Sequence, residues 1–369
     1  MLPSPAALDI LEKSAETMNW LRENIKIGFT SERGPAWWAA GAVTKDGTWD
    51  TIPDGSHFSG PVPMEEVHKL LDLPLVKATA TFAEYLDENG VRQVTKDTNV
   101  LPIINARTGQ VFSYPREGYK IHPYLETLSG FIGKILDDDA VAVGSVGLLK
   151  KGGVAFLQAV LPEHYEVAGY GFVPYVSAVT SADLSRSTSW NTGIKGMVCD
   201  NTVNMALKEA LTMLKVRHTR NSGVTVQHAR ERLGIQLTQV ADETADAIEA
   251  LVKIDVSDKQ LAAWMDLAVP LVNEDGTPKV KNGLTIAEGK REKLTALTRD
   301  PKVAPWNGTA FGVLQMDNTF RTWEQTVRSA TGGRLERNFA NDALGVTAKA
   351  DAEAMEILAK VLDRQLVLA

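Results

Sequence analysis

The sequence predicts an α+β protein: an antiparallel, hairpin-rich core with an intervening helix, followed by a helical carboxy-terminal part. Three observations carry this. Paired β-prone runs between positions 76 and 180 flank short turn signals such as Asn89-Gly90 and Gly152-Gly153. Beyond about position 200, apolar residues recur at helical spacing. The hairpins follow one another directly, which favours antiparallel pairing over a doubly wound parallel sheet.

Taken in order, residues 6–23 read as a helix, with Leu8, Leu11, Ala15, Met18 and Leu21 on one side. Gly55, Gly60, Pro61 and Pro63 mark a loop, and Met64 to Leu71 is a short helix with Glu65 and Glu66 at its positive end. Three hairpins follow: 78–85 with 91–96, 101–105 with 111–114, and 141–149 with 154–161. A helix over 124–136 separates the second from the third, and 173–180 is a further strand. Helices are then expected at 203–216, 226–237, 243–253, 261–267, 286–298, 311–328 and 349–362, with a polar, mobile loop at 273–283. This divides the chain into an amino-terminal helical and loop region (1–75), a β-rich core (76–202) and a helical region (203–369).

Composition excludes several classes. The chain has 369 residues, 44% hydrophobic and 23% charged, so disorder, collagen and disulfide-stapled miniproteins are ruled out. Cys199 is the single cysteine, which suits a reducing compartment. The first ten residues lack the basic start and apolar run of a signal peptide, and no apolar stretch is long enough to span a membrane. A cytoplasmic location is the expectation.

Charge is unevenly placed. Net charge is −7, yet residues 186–232 hold eight basic and three acidic side chains, leaving −12 elsewhere. A basic stretch in an acidic chain is what a phosphate backbone would select, because each neutralised phosphate releases counterions. Lys195, Lys208, Lys215, Arg217 and Arg220 are the candidate phosphate contacts, and Tyr175 and Trp190 the candidate stacking platforms for unpaired bases. The same charges would equally form a solvated helical face, and aromatic residues in strands ordinarily fill a core.

Other chemistries find little purchase. Cys199 in Met197-Val198-Cys199 sits in the apolar context of an inert thiol, so pairing with His218 predicts no nucleophile. His57, His68, His122, His164, His218 and His228 show no paired-ligand spacing, so no metal is expected. Asp137-Asp138-Asp139 reads as a solvated turn, and Lys150-Lys151-Gly152-Gly153 lacks the phosphate-loop pattern. No cofactor is expected, and the residues assign no catalytic group, which leaves enzymatic activity open.

Several segments in order, Pro35-Ala-Trp-Trp-Ala-Ala-Gly41, Gly118-Tyr-Lys-Ile-His122, Val198-Cys-Asp-Asn-Thr-Val-Asn-Met-Ala-Leu207, Arg217-His-Thr-Arg-Asn221, Lys290-Arg-Glu-Lys293 and Gly308-Thr-Ala-Phe-Gly312, resemble the phage/plasmid-like family catalogued as domain of unknown function 932. Trp38 and the segment Ser181-Ala-Asp-Leu184 depart from histidine-bearing family patterns, which speaks against histidine-dependent catalysis. The resemblance implies a mobile-element protein in a bacterial cell. The hairpin–helix–hairpin outline is similar to single-strand annealing recombinases, which implies ATP-independent binding of single-stranded DNA, strand annealing and a homo-oligomer. Two other functions stay open: a protein-interaction factor of a mobile element, for example in counter-defence, and an uncharacterised hydrolase.

Overall fold

The computed structural model describes residues 23–33, 55–130, 142–160, 164–196, 202–203, 213–219, 222, 236–325, 347–364 and 366. Its centre is an eight-stranded antiparallel sheet. The strands run in the order β1 (Ile25–Ile27), β7 (Ala142–Leu149), β8 (Val154–Val160), β10 (Tyr170–Ser181), β11 (Thr188–Gly196) and β12 (Thr202–Val203). Two short strands flank this path: β9 (Tyr165–Val167) on β10, and β13 (Met213–Val216) on β11. Two smaller sheets stand beside it: β2 (Leu75–Lys77), β5 (Ile103–Asn105) and β6 (Val111–Ser113), and the lone hairpin of β3 (Thr81–Leu86) and β4 (Arg92–Asp97).

The α+β class and all three expected hairpins are present. Each is closed by the turn its sequence announces: Gly90, Gly109 and Gly152 adopt φ of +74°, +73° and +90°, where only glycine is unstrained. Helix α1 (Met64–Leu71) lies against β7 with Val67 and Leu71 buried. Its core includes Val146, Leu148, Ala155, Leu157, Val176, Ala178 and Trp190.

Several elements differ from expectation, among them the short strands β1, β2, β9 and β12, which the sequence did not announce. Residues 213–216, expected within a helix, form strand β13, because antiparallel pairing with β11 (Trp190 opposite Leu214) outweighs the helical preference of Met and Leu. Strand β11 itself went unforeseen; Gly193 and Gly196 weaken its strand signature, and the pairing of Ala178 with Trp190 supplies what propensity lacks. The helix expected over 124–136 is present as far as it is described: Tyr124 to Gly130 are helical, with a π-helical turn at Leu125–Ser129, and 131–141 lie outside the described residues. The expected helices at 6–23 and 226–237 lie almost wholly outside the described residues; of the second, only residues 236 and 237 are described, where a helix begins.

The carboxy-terminal helices are α2 (Gln236–Val252), α3 (Asp258–Ala268), α4 (Asn282–Leu297), α5 (Ala310–Thr319) and α6 (Thr347–Val361). They build a second core around Trp264, Leu294, Trp306 and Phe311, into which β10 sends Tyr170 and Phe172. One long strand thus serves two cores. Ser257 opens α3 with a reciprocal capping box to Gln260. Arg321 forks between Asp317 and Asp351, tying the end of α5 to α6. Burial opposes that guanidinium's charge, but the two carboxylates outweigh it and raise its pKa.

Packing between β1, β7 and β8 leaves no room at Gly147, where a Cβ would stand 2.5 Å from the Phe156 ring and 3.0 Å from Ile25. Gly147→Ala is therefore expected to cost about 1–3 kcal/mol by overpacking, read as a lower urea midpoint at an unchanged slope.

Candidate nucleic-acid interface

Antiparallel pairing brings one set of chain reversals to a single end of the main sheet. There the β7–β8 turn (150–153) meets the β10–β11 turn (182–187): the N–H groups of Ala182 and Asp183 both donate to the Gly153 carbonyl, at 2.9 and 3.2 Å. The segment following β5 runs across the same end. Gln110 donates to the Lys151 carbonyl (3.1 Å), Ser113 Oγ to the Ala182 carbonyl (2.5 Å), and the Tyr119 hydroxyl to the Ser181 carbonyl (3.1 Å). The chain leaving β13 closes the group, with the Lys120 N–H donating to the His218 carbonyl at 3.2 Å.

These reversals carry most of the local charge. Residues 107–120, 150–153, 182–188 and 216–219 contribute Arg107, Arg116, Lys120, Lys150, Lys151, Arg186 and Arg217 against Glu117 and Asp183. That is +5 on a chain of −7. Asp183 is engaged by Lys150 at 3.3 Å, whereas Arg116, Lys120, Lys151 and Arg217 are exposed and form no ion pair among the described residues. Arg186 is half-buried; burial draws its pKa down, with Asp183 opposing. Lys150 and Lys151 both adopt left-handed backbone (φ +51° and +55°), a conformation that costs about 1–2 kcal/mol per non-glycine residue.

Beneath this basic rim lies a buried polar chain. His122 and His218, 96 positions apart, stack with ring centres 4.0 Å apart, and Tyr119 stacks on the far side of His218 at 4.7 Å. One end fixes the direction of every bond. A carbonyl can only accept, so His218 Nδ1 donates to the Lys120 oxygen (3.1 Å) and its Nε2 must accept, from the Thr188 hydroxyl (3.3 Å). Thr188 Oγ1 then receives the His122 Nδ1 proton (2.6 Å), and His122 Nε2 accepts from Ser222 Oγ (2.7 Å). Thr180 adds a second hydroxyl to Thr188 at 2.8 Å.

Both imidazoles are neutral in this arrangement. Burial pushes His122 down to about 4, aided by His218 and by the Lys120 charge. Burial likewise lowers His218, with the Lys120 carbonyl opposing. A serine hydroxyl donating to a neutral histidine is the arrangement of an activated nucleophile, yet Ser222 is only 2% exposed, sealed from any substrate. The chain acts as a clamp joining β10, β11, residues 119–122, His218 and Ser222 under the rim.

The residues singled out in the sequence divide sharply. Arg217 stands exposed on the rim, and Lys215 lies beside it in β13, opposite Ser189. Lys195 is opposite Val173, six residues along β11 from Ser189, roughly 20 Å away at about 3.3 Å per residue. Lys208 and Arg220, like Cys199, fall outside the described residues. Tyr175 and Trp190 are 3% and 0% exposed, the first packed with Val160 and Val173, the second in the main core. Neither offers a face to a base: both faces of β10 are covered around Tyr175, and Trp190, on β11, is fully buried in the main core. The exposed aromatic at this end is Tyr114, at 58%. The histidine pair was also missed: its halves sit in separate segments, Gly118–His122 and Arg217–Asn221, with no local spacing to link them. No cluster of three or more metal-ligating side chains occurs among the described residues.

A sequence model of the family described as Domain of unknown function (DUF932) matches residues 111–342. The chain belongs to that family. The matched part of this DUF932 protein contains both histidines, the main sheet from β7 to β13 and helices α2 to α5, but not the β3–β4 hairpin. No curated protein and no solved structure matches the chain.

Proposed function

We propose that this DUF932 protein binds single-stranded DNA without a nucleotide cofactor, holding backbone phosphates on the basic rim, and brings complementary strands together as a homo-oligomer. The observation that carries the reading is the collection of seven basic side chains from four separate segments at one end of the main sheet, in a chain that is acidic overall. Phosphate contacts position a strand without reading it, and Lys120, Lys151 and Arg217 are the groups free to make them. Tyr114 takes over the stacking role from Tyr175 and Trp190, since base–aromatic stacking needs an open ring face. The setting that goes with this reading is the DNA metabolism of a phage or other mobile element in bacterial cytoplasm. No described helix is long and apolar enough to cross a membrane.

Fluorescence anisotropy of the full chain with labelled oligonucleotides tests the reading. Single strands are expected to bind more tightly than the same sequence as duplex, with no effect of added ATP. Affinity should fall steeply as salt rises. Absence of binding at low salt overturns the reading.

A further inference from the structure

Outside the region matched by the family, β3 and β4 form a two-stranded hairpin that pairs with no other strand among the described residues. Such a hairpin is at best marginally stable alone in water, yet this one exposes Phe82 (65%), Tyr85, Leu86, Val91 and Val94 (66%). No further backbone bond is made by the outer edges of the two strands among the described residues. The turn is well built: the Asp87 carboxylate accepts from the N–H groups of Asn89 and Val91 and from Gln93 Nε2. Its pKa is accordingly lowered, the Val91 bond weighing most. The arm is thus a finished element with two open edges and uncovered apolar surface, the combination that invites strand addition.

Charge narrows the partner. Residues 81–97 carry Glu84, Asp87, Glu88 and Asp97 against Arg92 and Lys96, so the arm repels nucleic acid. Its two edges, however, complement each other. In the hairpin Phe82 lies opposite Lys96, and Glu84 opposite Val94, which fixes the even-numbered residues of both strands on one face. If β4 of one protomer pairs antiparallel with β3 of a second, the register that sets Val94 against Phe82 also sets Arg92 against Glu84 and Thr95 against Thr81. Those are an apolar, an ionic and a hydroxyl pair, each a favourable cross-strand combination. Glu84 already pairs with Arg92 inside the hairpin, so the contact would extend an alternating ladder of charge. Two-fold pairings fit less well: β3 against β3 about Glu84 opposes two carboxylates, and β4 against β4 about Val94 opposes Arg92 to Lys96.

We propose that the β3–β4 hairpin is a self-association arm through which copies of this chain join head to tail, β4 of one to β3 of the next. Such a contact leaves the same two edges open at either end of a dimer, so it builds rings or filaments. The proposal rests on the homo-oligomer part of the functional reading only, and its test contains no nucleic acid.

Sedimentation velocity of the full chain over a concentration series gives the test. Wild type should show a weight-average mass at least double 40.1 kDa at high concentration, falling on dilution. Phe82→Lys and Val94→Lys, both at exposed positions, should leave a 40.1 kDa monomer with unchanged circular dichroism. Glu84→Arg alone and Arg92→Glu alone should each be monomeric, since each opposes like charges across the contact. Their equimolar mixture should recover the wild-type mass, because every junction is again complementary while the pair inside each hairpin stays broken. A wild type that remains at 40.1 kDa throughout, single variants that keep the wild-type mass, or a mixture that stays monomeric would each overturn the proposal.

Discussion

Reversing Lys120 and Arg217 together to glutamate is expected to weaken single-strand binding by about two orders of magnitude at moderate salt. Both side chains are exposed, and neither belongs to an ion pair among the described residues, so their loss leaves no buried partner behind. The fold should be unchanged by circular dichroism. The effect is large because a reversed charge forfeits one phosphate contact and repels its neighbours on the strand. The slope of log affinity against log salt should become shallower by about two, roughly one for each contact removed. Lys195→Glu, about 20 Å along the sheet by strand spacing, should change affinity far less. Anisotropy titrations of the three proteins over one salt series measure all of this.

Removing the His122 imidazole carries the largest expected loss of stability. His122→Ala deletes a buried ring and strands the hydroxyls of Thr188 and Ser222, for an expected cost of about 3–5 kcal/mol in urea unfolding. The wild-type protein carries a related pH signature. Its unfolded chain takes up a proton near 6.5, while folded His122 resists until about 4. The stabilisation is therefore complete above pH 6.5 and lost as pH falls toward 4, by roughly 2–3 kcal/mol after allowance for partial solvent screening. Burial lowers His218 as well, so it adds in the same direction. His122→Gln, which keeps a donor and an acceptor, should flatten the slope across that window. A wild-type stability constant between pH 6.5 and 4.5 would contradict the neutral, buried histidine.

The two halves of the fold were legible in different ways. Hairpins announce themselves locally, since Asn89-Gly90 and Gly152-Gly153 are turn chemistry that works over four residues. Amphipathic helices such as α2 and α3 are equally local. Strands β11 and β13 are not: Thr188–Gly196 acquires its identity from the register with β10, and Met213–Val216 from β11. Sequence reasoning found Arg217 because it sits in a dense basic stretch. It did not find Arg116, Lys120 or Lys151, because they join Arg217 only when three separate reversals meet at one end of the sheet. Tyr175 and Trp190 are the right side-chain types for stacking in the wrong place. A strand covered on both faces, as β10 is around Tyr175, hides its aromatic residues whichever way they alternate.

Photo-cross-linking locates the strand-binding surface on the protein. The full chain, bound to a photoreactive single-stranded oligonucleotide and irradiated, is digested and its adducts located by mass spectrometry. Adducts should concentrate in peptides covering residues 107–120, 150–153, 182–188 and 213–219, with Tyr114 and Lys120 foremost. Adducts confined to the helices between residues 236 and 361, or to β11 around Lys195, would contradict a phosphate-binding rim at the turn end of the sheet.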